Sequence, residues 1–141
     1  MLRTIIEASK NFCNHQIDMP CEVFDDLSQT RTLIAYIDIE TLDNKKYRVY
    51  LASDLNFMQR VSKLFLEEDE SDEETLIDMT LETTNLIVGS AKVIAEEAQE
   101  NPYVIGTPNF LKIDIFDFEY DQAKVMKIED DEMIVAIKEL T

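Results

Sequence analysis

Glycine is almost missing from this chain, with two in 141 residues. Loops that cradle phosphates with backbone amides need several glycines at fixed spacing. Neither a Walker-type nor a dinucleotide-binding loop can therefore be written here, and ATP and NAD use are not expected. Cysteine is equally scarce: Cys13 and Cys21 make no disulfide framework and stay thiols in a reducing compartment. The single histidine, His15, lies between them, but without a Cys-x-x-Cys pair or a second ligand pair the three do not form a zinc pattern. No nucleophilic serine motif stands ready to use the imidazole. No apolar run nears the ~20 residues needed to span a bilayer. The start Met1-Leu2-Arg3-Thr4-Ile5-Ile6-Glu7 meets an acid too early for a signal peptide, so a cytoplasmic protein with no membrane insertion is expected.

Positive charge is the other shortage. Thirteen basic residues face thirty acidic ones, giving a net charge of −17 and a pI near 4.2. Nucleic acid and anionic membranes would be repelled by such a surface, whereas a basic partner, or one with a basic pocket, would not. Acidity that merely keeps the protein soluble gives the same composition. What is abundant is core material: 45% hydrophobic residues with seven Phe and five Tyr exclude disorder for the chain as a whole. A length of 141 residues fits one domain, residues 1–141, able to bury a core without staples.

Patterning along the chain predicts an α+β fold, an antiparallel sheet packed by helices. Leu2, Ile5, Ile6, Ser9 and Phe12 recur at helical spacing from Met1 to about His15, ahead of Pro20. Strands follow: Leu33, Ala35, Ile37 and Ile39 alternate on one face, Tyr47, Val49 and Leu51 repeat the pattern, and Asp43-Asn44-Lys45 between them reads as a hairpin turn. Cys21 to Leu27 is a candidate third strand. Ser53 or Asp54 can cap a helix carrying Phe57, Met58, Val61, Leu64 and Phe65. The acidic run Glu67 to Glu74 reads as a solvated connector whose last members favour the positive end of the next helix dipole. That helix runs from Glu73 or Glu74 to Ala98, with Leu76, Met79, Leu86, Val93 and Ile94 as its packing positions. Beyond Asn101-Pro102, Gly106-Thr107-Pro108 is a turn into a strand with two apolar faces: Leu111, Ile113 and Ile115 on one, Phe110, Phe116, Phe118 and Tyr120 on the other. More than one layer, or a second subunit, is expected to cover it. Two further strands, near 123–128 and 133–138, complete the order.

The long helix carries the chemistry. Glu82 and Asn85 are one helical turn apart and project from the same side, a carboxylate and a carboxamide able to enter another molecule's cleft together. Asp78 lies one turn earlier on the same stripe, and Pro108 follows Asn85 after 22 residues. Gly89 stands in the helix interior, where glycine costs about 0.5–1 kcal/mol relative to alanine, so close packing or close approach is expected there. The spacing Asp, three residues, Glu, two residues, Asn, 22 residues, Pro resembles the signature of the CheC/CheX family of chemotaxis phosphatases. With no second copy of the pattern, the chain is similar to the single-motif CheX-like members, which pair as homodimers.

That resemblance implies hydrolysis of the phospho-aspartate on a CheY-like response regulator. A neutral carboxamide is a poor base and nucleophile, so Asn85 orients water. Glu82, acceptor-only when ionised, suits the lysine of the receiver's phosphate pocket. The chain needs no cofactor of its own, because Mg²⁺ is expected from the receiver. Asp78 anchors the partner, orients the helix, or is simply an exposed acid; Pro108 shapes a loop. Two other readings use the same residues differently: a non-catalytic receiver-binding scaffold on the same helix face, and an acidic homo-oligomeric structural protein.

Overall fold

A computed structural model describes residues 2–27, 29–100 and 102–140. In chain order the elements are α1 (Leu2–Asn11) continuing into a π-helical segment (Phe12–Ile17), β1 (Glu22–Phe24), β2 (Arg31–Thr41), β3 (Lys46–Asp54), α2 (Leu55–Leu66), α3 (Glu73–Glu97), β4 (Tyr103–Ile105), β5 (Asn109–Ile115), β6 (Gln122–Ile128) and β7 (Asp131–Leu140). The strands form one sheet in the order β1-β6-β7-β3-β2-β4, with β5 also on β2. Every pairing is antiparallel. The β2–β3 hairpin forms as its alternation predicts, in register from Thr32↔Asp54 to Glu40↔Lys46, with Asn44 taking the left-handed turn position at φ 66°. Among the described residues no helix is long and apolar enough to cross a membrane.

The sheet buries both faces. On one, Leu33, Ile37, Val49, Leu51, Val135 and Ile137 meet the apolar sides of all three helices, including Ile5, Phe57 and Ile87. On the other, Ile34, Tyr50, Ala52, Val125, Ile134 and Ala136 pack with Phe116. This is why β7 reads as an unbroken buried run, Met133 to Ile137, instead of alternating.

Three expectations need correction. The first helix starts within the described residues at Leu2, Met1 lying outside them, and it is α-helical only to Asn11. Its last stretch is π-helical and is stopped by Asp18 in the left-handed region. The run from Phe110 to Tyr120 is not one alternating strand. A register shift opposite Ile34/Ala35 makes Leu111 an extra residue, so Phe110 and Ile113 share the helix-side core. Residues 116–120 leave the ladder, and Phe116 and Phe118 fold across the far face, so this chain itself supplies that cover. Gly106-Thr107-Pro108 is not a turn into a new direction. β4 and β5 lie end to end along the same edge of β2, and the tripeptide is a kink between them, with Gly106 N–H donating to Asp38 O at 2.8 Å. A Cβ on Gly106 would come within 3.0 Å of that oxygen, and Pro108, lacking an N–H, fits the interruption. Asn101 lies outside the described residues.

The acidic connector is pinned as well as solvated. Gln59 Nε2 donates to Ser71 O at 2.8 Å, Ser71 N–H donates back to Gln59 Oε1 at 2.9 Å, and buried Ser71 also meets Ser62. This fixes where α3 begins.

Candidate functional site

The motif helix has identifiable supports at its start and along its length. Asp72 accepts from Thr75 N–H at 2.8 Å as its N-cap, and Glu73 and Glu74 occupy the first turn, favourable against the helix dipole. Past its midpoint, buried Tyr103 donates its hydroxyl to Val88 O at 3.2 Å, tying β4 to α3 one residue from Gly89. Burial pushes the Tyr103 phenol pKa up, so it stays a neutral donor. No spacing rule in the sequence marks this tyrosine; it lies on a three-residue strand too short to show alternation.

The buried face of α3 is made of Leu76, Met79, Thr80, Thr83, Thr84, Ile87, Val88, Ala91 and Ala95. Three threonines in a core need partners. Thr80 and Thr84 each donate to the carbonyl four residues back, both at 2.7 Å, and Thr83 is directed at Met58 Sδ at 3.8 Å. These small side chains take places that Leu86 and Val93 were expected to fill. Instead Leu86 is 39% and Val93 50% exposed. At 3.6 residues per turn, Asp78, Glu82, Asn85, Gly89 and Val93 fall within an arc of about 80° on the outer face.

Asp78, Glu82 and Asn85 are all exposed on that arc. Among the described residues none of the three side chains has a hydrogen-bond or ion-pair partner. The structure thus places the predicted acid and amide together on one surface and leaves their polar atoms free for another molecule. Gly89 lies on the same stripe, but a Cβ there would meet nothing within 4 Å. Close packing inside the chain is therefore not its reason. Pro108 belongs to the edge kink of β4–β5, not to the stripe.

The stripe is flanked by two concavities of opposite character. One, of about 420 Å³, is lined by Leu66, Glu68, Thr75, Asp78, Met79 and Glu82. The other, of about 180 Å³, is lined by Asn11, Phe12, His15, Gln16, Leu86 and Ser90, with no acid among them. A larger cavity, about 670 Å³, lies elsewhere, between α1 and β6. It collects Arg3, Lys10 and Lys124, of which Arg3 is paired with Glu7 and Glu100 and Lys124 with Asp25, and it contains none of the motif.

Among the described residues no group of three or more His, Cys, Asp or Glu could hold a metal ion. His15 is exposed beside Leu86, while Cys13 is fully buried. Cys13 lies beside Cys21: a hydrogen bond from Cys13 lowers the Cys21 thiol to about 7, and that contact together with burial pushes Cys13 up.

No protein-family model and no curated protein matches the chain. Its likeness is to solved structures. The chemotaxis protein CheX from Vibrio vulnificus superposes with a TM-score of 0.83 at 13% identity, over 99% of this chain and 95% of that one. A CheC-like superfamily protein from Shewanella sp. PV-4 gives 0.78 at 15% identity, over 99% and 97%. CheX in the CheX–CheY–BeF3–Mg²⁺ complex from Borrelia burgdorferi gives 0.69 at 14% identity, over 97% of each chain. The fold is that of the CheX and CheC-like chemotaxis proteins.

Proposed function

We propose that this protein is a CheX-like phosphatase that hydrolyses the phospho-aspartate of a CheY-like response regulator. The observation that carries the reading is the exposed, unpartnered Glu82 and Asn85 one turn apart on a capped helix. The fold it shares with a CheX that has been solved bound to CheY supports a receiver domain as the partner. So does the acidic flank of Glu68, Asp78 and Glu82, complementary to a pocket that contains a lysine.

In this mechanism Glu82 pairs with the receiver's lysine and sets the register of the helix. Asn85 holds a water in line with the phosphorus and the leaving carboxylate. Attack of the water oxygen on phosphorus breaks the bond to the aspartate, releasing a free carboxylate and inorganic phosphate, and the water's proton goes to the phosphate. Such transfer gains mostly from positioning and electrostatic stabilisation, and Mg²⁺ held by the receiver neutralises the phosphoryl oxygens. Asp78, one turn before Glu82, adds to the acidic flank. The protein acts as a homodimer, and β5 is the proposed contact: among the described residues it pairs only with β2, and it carries Leu111 at 39% and Ile115 at 37% exposure.

The test is decay of phosphate from a panel of phosphorylated receivers from the same genome. The wild-type protein should accelerate decay on its cognate receiver. Asn85→Ala should lose about 10²–10³-fold in rate, as for removal of one aligned hydrogen-bonding group, with binding kept, whereas Glu82→Ala should weaken binding as well. Binding without any acceleration by the wild type would instead select the scaffold reading.

A further inference from the structure

Gly89 has no structural reason to be glycine. Its φ is not positive, so the backbone does not need it. A Cβ would meet no atom within 4 Å, so packing inside the chain does not need it either. It stands in the middle of a 25-residue helix, where alanine is the better helix former. What singles it out is position. It lies at the centre of the arc that holds Asp78, Glu82, Asn85 and Val93, about 6 Å along the axis beyond Asn85.

We infer that Gly89 is a contact point where the receiver's surface rests directly on the α3 backbone, with exposed Leu86 and Val93 as its apolar shoulders. This rests on the receiver reading above and says how the receiver is oriented. The acids of the stripe, Asp78 and Glu82, lie toward the N-terminal end of α3, facing the receiver's lysine. Gly89, Leu86 and Val93 lie toward the C-terminal end, where the receiver must offer a close-fitting apolar or backbone element. The acid-free concavity of Phe12, His15 and Gln16 beside Leu86 continues that neutral side. Without a Cβ at position 89 the two backbones can approach closely, and that approach lets Asn85 reach the phosphoryl group.

The experiment compares wild type, Gly89→Ala and Gly89→Met for thermal stability, for binding to the cognate receiver loaded with BeF3 and Mg²⁺, and for dephosphorylation of the phosphorylated receiver. Gly89→Ala should melt at a higher temperature than wild type yet bind about tenfold more weakly. Gly89→Met should lose about a hundredfold or more and slow dephosphorylation in proportion. Variants that bind and act as well as wild type would overturn the contact while leaving the phosphatase reading intact. So would a Gly89→Ala that melts lower, because the glycine would then serve the fold. A wild-type protein that neither binds nor acts on any receiver would remove both readings.

Discussion

Replacing Phe116 with alanine tests the least expected part of the architecture, the cover of the sheet's far face by residues outside the ladder. Phe116 is only 6% exposed. Its ring stands at 5.4 Å, edge-on, from Tyr50, at 5.8 Å from Phe118 and at 6.2 Å from Tyr120, while Phe118 stacks on Tyr50 at 5.2 Å. Core Phe→Ala changes cost about 3–5 kcal/mol. Residues 116–120 make no ladder and can move inward to fill part of the hole, which places the loss at about 3 kcal/mol. With an unfolding entropy of about 2.1 cal/mol/K per residue, or about 0.3 kcal/mol/K for this chain, Tm should fall by about 10 °C. Thermal unfolding followed by circular dichroism reads this directly, with Leu64→Ala at an exposed α2 position as a control that should stay within about 2 °C. α3 packs on the opposite face, so dephosphorylation by Phe116→Ala well below its Tm should match wild type. A Tm drop smaller than about 3 °C would refute the account of the far face as a load shared through this one ring.

Three further outcomes are expected. Tyr103→Phe removes the buried hydrogen bond to Val88 O and should cost about 1 kcal/mol in urea unfolding; no loss at all would mean that the contact does not hold α3. Asp72 is held below the usual carboxylate range by the Thr75 hydroxyl and N–H, and Asp121 by Glu139 N–H and then Lys138. Their folded values lie below their unfolded ones, so their stabilisation is full above the usual carboxylate range and is lost as pH falls through the lowered folded values. An Asp72→Asn/Asp121→Asn variant should therefore be less stable than wild type at neutral pH and converge with it as pH falls through the lowered folded values, and a gap constant across the titration would contradict this. Leu111→Glu with Ile115→Glu should convert the proposed dimer to a monomer in light scattering while the far-UV circular dichroism stays that of the folded chain, since both residues are solvent-facing in the single chain, and Tm should lose its dependence on protein concentration; an unchanged mass would move the contact elsewhere or remove it.

Much of this fold was legible because single strands and helices follow simple periods. The alternation of Leu33, Ile37 and Ile39 against Tyr47, Val49 and Leu51 placed the central hairpin, and Asp54, read as one of two possible caps, accepts from Phe57 N–H at 2.6 Å. The joint exposure of Asp78, Glu82 and Asn85 followed from the helical period alone. What was hidden depended on contacts with other elements. One bulge at Leu111 reversed the parity of a strand, a three-residue β4 was too short to show any, and threonines satisfied by their own helix displaced Leu86 and Val93 from the core. Gly89 was legible as unusual, but only the empty space around its missing Cβ separates approach from packing.

The acid and the amide share one continuous helix, capped at Asp72 and tied to the sheet through Tyr103. No hinge lies between them, so their backbone positions keep one fixed spacing, and only the exposed side chains lose rotamer freedom when a partner arrives. Under the proposed function, adjustment of fit then falls to those two side chains and to the partner, and a pocket that cannot admit both groups at that spacing is rejected by shape before charge is consulted.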